Sequence, residues 1–429
     1  MSGTRVLVAG ASIAGPALAH WLCRRGAEVT VVERAPGLRP GGQAVDARGV
    51  AKEVIRRMGL DAAVRAACTD TAGAYTVDAD GNVLETFRAD DDGGDGYISE
   101  IEILRGDLAQ VLYDDTRDGV EYIFGDRIAE LTQDADGVDV AFAGGVRRRF
   151  DLVIGADGLH SALRTMVFGT RERFVRHLGL VLAFYSVPNE FGLDRWVIDY
   201  RHPESGRSAL LRPIQDATRA MAMFSFPSAD FDVDHRDLAA QKTLLRERTA
   251  GMGWSTSRML AHLDDTPDFY LDQVAQVVMD RWSNGRVGLL GDAAFSSSPM
   301  SGGGTGLAMV GAYLLAGELA AAGWEPEPAF AAYEERMRPF VEANQEIGRM
   351  HVASLEAPAP DAEPGPEPDM EALMALVERA INGVELPDYD GVPDSGSGAG
   401  RLGCRDRPGR SVPGSDAATG AAPHQGGSS

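Results

Sequence analysis

The sequence predicts an α/β protein in which a discontinuous Rossmann-like domain is joined to an antiparallel-sheet domain and followed by a C-terminal helix and a disordered tail. Three observations carry this. A buried strand, a glycine turn and an Ala/Leu-rich helix open the chain at Arg5–Leu22. Buried strands return at Phe150–Gly155 and Arg286–Gly291, each ending in a turn that contains Gly and Asp. Between these returns, Gly179–Phe231 alternates as aromatic-bearing strands, the pattern of an antiparallel sheet covering a pocket.

Taken in order, Ala27–Glu33 follows the first helix as a second parallel strand and completes a βαβ unit with an acid at its end. Pro36–Gly42 reads as a loop and Val50–Met58 as an amphipathic helix stopped by Gly59. Ala74–Val77 and Val83–Phe87 are strands, Asp90–Gly96 is an acidic loop, and a helix runs from Arg105 to Asp114. Val120–Phe124 and Val138–Phe142 alternate as strands, and residues 235–265 are helical with a break at Gly251-Met-Gly253. A long apolar helix extends past Gly304 and is short enough to be a buried core helix rather than a membrane span. Residues 1–75, 98–178 and 276–356 are therefore assigned to the nucleotide domain, and 76–97 and 179–275 to the second domain. Residues 357–390 form a linker and the helix Met370–Ile381, and Gly/Ser/Pro/Asp-rich 391–429 a disordered tail.

Composition narrows the function. The 429 residues are 44% hydrophobic and 24% charged, which excludes a wholly disordered or collagen-like chain. With 41 basic and 64 acidic residues the net charge is −23, which argues against nucleic-acid binding by the general surface. Lys52 and Lys242 are the two lysines, which weakens any lysine-based mechanism. Cys23, Cys68 and Cys404 form neither a CxxC pair nor a Cys/His cluster, so no metal site is expected. The chain enters its first strand at Arg5, without a basic segment and apolar core ahead of it. A cytoplasmic protein without membrane attachment, monomer or homodimer, is the expectation.

Gly10, Ser12, Ile13, Ala14 and Gly15 keep the first and last glycines of a dinucleotide fingerprint. Backbone amides must approach a pyrophosphate closely there, with its charge at a helix N-terminus. Glu33 is placed to bind the adenosine ribose hydroxyls. A tight turn of some other α/β fold is the bland alternative, and the flanking strand, helix and acid weigh against it.

Further pieces follow in a fixed order: Glu33-Arg34; Arg105 in Ile103-Leu-Arg-Gly-Asp-Leu108; Gly155-Ala-Asp-Gly158 with Ser161 and Arg164; and Gly291-Asp292 with Pro299, Gly302, Gly304 and Thr305. Together, over about residues 3–350, they resemble the class A flavoprotein monooxygenases, the para-hydroxybenzoate hydroxylase-like group. The resemblance implies an FAD-binding domain and a substrate-binding domain. It implies that Arg105 reaches the FAD phosphate or ribityl portion, that Asp157 links FAD and nicotinamide binding, and that Asp292 meets the ribityl chain. Pro299, Gly302, Gly304, Thr305 and Gly306 would form the loop beside the isoalloxazine, and Arg48 would approach the flavin or NADPH. Ser12, in place of the middle glycine, puts one β-carbon near the phosphate, and Gly306 and Gly311 stand where relatives often carry larger or polar residues.

The implied reaction uses NADPH or NADH to reduce FAD, and O₂ to form a flavin C4a-hydroperoxide that oxygenates an aromatic or polyketide-like natural product, as in antibiotic biosynthesis. In the sheet region His177, Tyr185, Arg195, Tyr200 and Arg212 are candidates to orient or deprotonate a phenol, and Trp196, Phe224 and Phe226 to line an aromatic pocket. Each has an ordinary structural role as its competitor. An FAD-dependent dehydrogenase or double-bond reductase would share the cofactor motifs. A halogenase is disfavoured by the lack of a WxW segment and of a pocket lysine, and a serine hydrolase by the lack of a nucleophile elbow. A ligand-sequestering protein would bind substrate without flavin reduction.

Overall fold

A computed structural model describes residues 3–89, 98–228, 237–355 and 369–389. The Asp90–Gly96 loop, the linker at 357–368 and the tail at 391–429 lie outside these described residues. Two sheets organise the rest. The first has six strands in the order Ser283–Asn284, Val287–Leu289, Leu152–Gly155, Arg5–Ala9, Glu28–Glu33 and Glu121–Phe124. Its pairings are parallel except for the Ser283–Leu289 hairpin. The central strands read as continuous apolar runs because helices cover both faces of a parallel sheet: Val6, Leu7 and Val8 are fully buried, as are Leu152, Val153 and Ile154.

The helix Ala14–Arg24 packs on helix Gly304–Ala321, which in turn packs on the long helix Pro326–Leu355. Among the described residues Gly304–Ala321 is the one helix long and apolar enough to cross a membrane, and it lies largely buried in the protein core. Its Gly317 leaves room for the ring of Tyr389, which a Cβ would meet at 2.2 Å. Tyr389 also donates to Glu318 Oε1 at 2.5 Å and so returns the chain to the core after helix Met370–Asn382. That helix is capped by Asp369, whose carboxylate accepts from the amides of Glu371 and Ala372.

The second sheet has seven strands in the order Tyr270–Val277, Val175–Pro188, Arg219–Pro227, Ser208–Pro213, Trp196–Arg201, Gly73–Val77 and Val83–Arg88. It differs from a purely antiparallel sheet at one pairing, where Trp196–Arg201 runs parallel to Gly73–Val77. The hairpin Gly73–Arg88 comes from an early part of the chain and joins the sheet edge from its own direction. One face of this sheet packs on helices Leu238–Thr249 and Thr256–Ala261 through a core of Tyr185, Tyr200, Phe224, Phe226, Leu245 and Met259. The other face looks toward the first sheet. Small sheets of three strands (Ile128–Gln133, Val138–Phe142, Arg147–Phe150) and two strands (Ala44–Asp46, Glu102–Leu104) complete the fold.

Candidate active site

A cavity of about 580 Å³ runs from the C-terminal ends of the parallel strands to the free face of the seven-stranded sheet. Its first part is built by chain turns. Gly10 has φ +109° and lies so near the Asp157 turn that a Cβ would stand 2.3 Å from the Ala156 carbonyl oxygen. A Cβ on Gly15 would meet the Gly10 carbonyl oxygen at 1.9 Å, so this glycine lets the helix start pack against the strand end. Glu33 accepts from the amides of Ala11 at 3.0 Å and Ala35 at 2.9 Å, which fixes its carboxylate at the strand end.

Arg105 donates to Ser12 Oγ at 2.8 Å, so the fingerprint's middle serine serves as an anchor for this guanidinium. Burial and the nearby charge of Arg39 both lower the Arg105 pKa. Arg34, Arg39, Arg105 and Arg127 all line the cavity. Clustered cations facing an opening are the kind of donor set that can hold a diphosphate.

Asp157 accepts from Ser161 Oγ at 2.5 Å and from the amides of Ala162 and Leu163, capping the helix Ala162–Phe168. Buried Arg164 donates to the carbonyls of Ala293 and Leu159 and so ties the Asp157 turn to the Asp292 turn. Asp292 lies deep in the molecule but faces the open cavity; burial pushes its carboxyl up, against the pull of Ser296, Arg105 and Arg164. A Cβ at Gly302 or Gly304 would meet no protein atom within 4 Å, and both residues line the cavity. The glycines thus keep open a cradle that side chains would fill, and the donor set suits an FAD.

The second part of the cavity is the free face of the seven-stranded sheet. Leu182, Leu210 and Met223 form an apolar floor, and Asp199, Arg201, Ser208 and Ser225 add polar groups. Arg201 donates to Asp199 Oδ2 at 3.1 Å, and the Ser208 and Ser225 hydroxyls are 2.7 Å apart. Burial pushes the Asp199 carboxyl up, with Arg201 and His351 opposing. His351, from the long helix, is bonded to the Met300 carbonyl at 2.9 Å.

The family model described as FAD binding domain matches residues 3–347. The chain belongs to this family. It is a class A flavoprotein monooxygenase, an FAD-binding enzyme. A flavin-dependent monooxygenase of Legionella longbeachae is 37% identical over 393 residues, covering 90% of this chain and 98% of that protein. Protein Rv1260 of Mycobacterium tuberculosis is 44% identical, covering 90% of this chain and 99% of its own length. The crystal structure of tetracycline destructase Tet(55) superposes with a TM-score of 0.79 at 38% identity, over 90% of this chain and 99% of that one.

In this flavoprotein the cavity gathers Gly10, Ser12, Ile13, Ala14, Glu33, Arg34, Arg105, Asp157, Asp292, Pro299, Gly302, Gly304 and Thr305. Gly15, Arg48 and Gly306 stand behind its wall. Gly15 is a packing glycine, Arg48 is turned to Asp46 at 3.0 Å, and Gly306 faces Ala51.

The residues expected to handle substrate are not brought together. Tyr200 and Tyr185 point to the opposite face of the sheet, into the helix-covered core, where Tyr185 donates to the Met259 carbonyl. Arg195, at φ +43°, is exposed and bonded to Asp70 through its carbonyl and carboxylate. His177 sits on the exposed side of a strand irregularity, away from the cavity lining. Arg212 is paired with Glu102 at 2.5 Å. Of the aromatic residues, Phe224 and Phe226 are both in the helix-covered core, with Phe224 touching the cavity between Met223 and Ser225, and Trp196 stacks on Tyr75. Arg39, Asp46, His160, Asp199 and Arg201 line the cavity and were not singled out in the sequence. Tyr200 lies between Asp199 and Arg201, so strand alternation is the signal that distinguishes them, once the buried face is known.

Proposed function

We propose that this FAD-dependent monooxygenase uses NADPH or NADH and O₂ to insert one oxygen atom into an aromatic, polyketide-like small molecule. The observation that carries the reading is the continuity of one cavity, from the arginine-lined nucleotide end to the part-polar, part-apolar face of the seven-stranded sheet. Likeness to the tetracycline destructases supports a fused-ring substrate, and tetracycline is the first probe.

Arg39 and Arg105 would hold the diphosphate, Glu33 a ribose, and Asp292 the ribityl chain. Asp157 and Arg164 keep the two turns in register. When bound, FAD supplies the oxygen chemistry, in this reading as a C4a-hydroperoxide after reduction by the nicotinamide. The protein orients the substrate over the apolar floor of Leu182, Leu210 and Met223.

The test is anaerobic stopped-flow absorbance of the FAD-loaded protein with NADPH or NADH and a panel of tetracycline and smaller phenols, followed by mixing with oxygenated buffer. Reduction followed by a transient adduct and an oxygenated product is expected. Reduction and reoxidation with no oxygenated product from a bound ligand would mark a dehydrogenase or reductase instead.

A further inference from the structure

The cavity wall includes an unusual pair of carboxylates. In the two-stranded sheet Asp46 lies directly opposite Glu102 in antiparallel register, an arrangement that is destabilising for two like charges unless neighbours compensate. The compensation is unequal. Glu102 is 5% exposed; its Oε1 accepts from Thr69 Oγ1 and Thr71 Oγ1, both at 2.6 Å, and its Oε2 pairs with Arg212 at 2.5 Å. Against the penalty of burial, Arg212 and the threonines hold its carboxyl below the ordinary range, so Glu102 is ionised. Asp46 has Arg48 on Oδ2 at 3.0 Å and forms part of the cavity lining.

Asp46 also sits where the two halves of the site meet. Its strand, Ala44–Asp46, contacts helix Gly304–Ala321, whose Gly304, Thr305 and Ala308 line the cavity and carry no charge. The charged groups around Asp46 are Arg48 just beyond its own strand, Glu102 across the ladder, and Arg212 from the seven-stranded sheet. The other buried carboxylate on the substrate side, Asp199, lies on the seven-stranded sheet and is bonded to Arg201.

Resting on the monooxygenase reading above, we propose that Asp46 is the proton acceptor of the cavity, taking the proton from a phenol or enol hydroxyl of the substrate. The substrate O–H bond breaks, its electron pair stays on the substrate oxygen, and a new O–H bond forms on the Asp46 carboxylate. No group is oxidised or reduced in this step. The resulting phenolate or enolate is the more electron-rich partner for oxygen insertion, and the proton passes to water after product release. Glu102 and Arg212 act as positioning residues: they keep a fixed negative charge behind Asp46 and bind its strand to the substrate sheet.

The protonation state follows from the same surroundings. Burial, with the Glu102 charge, pushes the Asp46 carboxyl up to about 6, while Arg48 and Arg212 pull the other way. Above that pH Asp46 is ionised and can accept a proton; below it the site is already filled. Product formation should therefore rise with pH through about 6.

The experiment uses FAD-loaded wild type, Asp46→Asn, Asp46→Glu and Asp199→Asn, with tetracycline and simple phenols as probes, from about pH 5 to pH 8. Two quantities are followed: oxygenated product per nicotinamide consumed, and the ionisation difference spectrum of the bound probe without nicotinamide. The wild type should show one acidic limb in both. Asp46→Asn should abolish that limb and slow product formation by about 100-fold, and Asp46→Glu should restore it at a shifted pH. Should Asp46→Asn fail to fold or to retain FAD, the Asp46→Glu shift carries the test. An unchanged limb in Asp46→Asn or Asp46→Glu, or its loss only in Asp199→Asn, overturns the assignment. If wild type oxygenates none of the probes although they bind and FAD is reduced, the monooxygenase reading fails first, and the assignment with it.

Discussion

The end of the cavity proposed for the nucleotide and the end proposed for the substrate are built by different means. The first is made of turns at strand ends, where a glycine, an acid or an arginine at a fixed place in the chain has one geometric task. Gly10, Gly15, Asp157 and Gly302 each have backbone or capping roles visible in their contacts or in the space beside them. The second is the face of a sheet, where adjacent residues point in opposite directions and a one-residue difference decides between cavity and core. Asp199 and Arg201 face the cavity, and Tyr200 between them faces the helices. Steric and capping constraints leave local marks in a sequence, whereas the choice of face depends on what packs behind the sheet.

The sharpest way to break this contrast is at the glycines. Gly15→Ala should cost at least about 3 kcal/mol, because its Cβ would meet backbone and cannot be relieved by a rotamer change. Gly302→Ala, at φ +68° with open space beside it, should cost only about 1–2 kcal/mol while still crowding the cofactor. Urea unfolding of both variants, with and without FAD, checks the order. Equal losses would show that the turn geometry is not what distinguishes them.

A smaller effect is expected at the arginine bridging fingerprint and cavity. Arg105→Ala should weaken FAD binding by roughly 10- to 100-fold, the loss of about 1.5–3 kcal/mol for a hydrogen bond to a charged group. Quenching of flavin fluorescence on titration measures this, and an unchanged affinity would remove Arg105 from the diphosphate site.

On the sheet, the two faces can be compared directly. Asp199→Ala should raise KM for a substrate by about tenfold, about 1.4 kcal/mol, whereas Tyr200→Phe should change it less than about twofold because that hydroxyl belongs to the other face. Steady-state kinetics on the same probe decides it. A larger effect from Tyr200→Phe would reverse the assignment of faces.

The smallest effect lies away from both regions, at His20, which bonds Asp115 at 2.6 Å beneath the first helix. Burial holds its pKa below the ordinary 6.5 although Asp115 pulls upward. The unfolded chain therefore binds the proton more readily, and this contribution to stability is full above 6.5 and lost as pH falls below it. Relative to His20→Gln, the wild type should lose stability in urea unfolding as pH falls below 6.5. A flat difference would mean that the histidine keeps one protonation state throughout.

Much of the fold was legible because the βαβ opening, the two returning strands and the apolar helix each carry a period or a punctuation mark. The parallel pairing of Trp196–Arg201 with Gly73–Val77 was not, since it joins strands far apart in the chain. At the site, Glu33 and Asp292 stand out by their places at strand ends and Arg105 and Asp157 through the family resemblance, and all four line the cavity. Arg39 lies in a loop with no periodic signal, and its role emerges only when folding brings it near Arg105. Asp46 looks like an ordinary strand residue until its cross-strand partner is found to be Glu102, more than fifty positions later. Arg212 was expected at the substrate and is instead paired with Glu102.

The most direct test of the account is the mass of the product formed by FAD-loaded enzyme with NADPH or NADH and a tetracycline or phenol probe under isotopically labelled O₂. A product carrying one labelled oxygen atom is predicted. Turnover that oxidises nicotinamide and changes the probe without incorporating the label would contradict it.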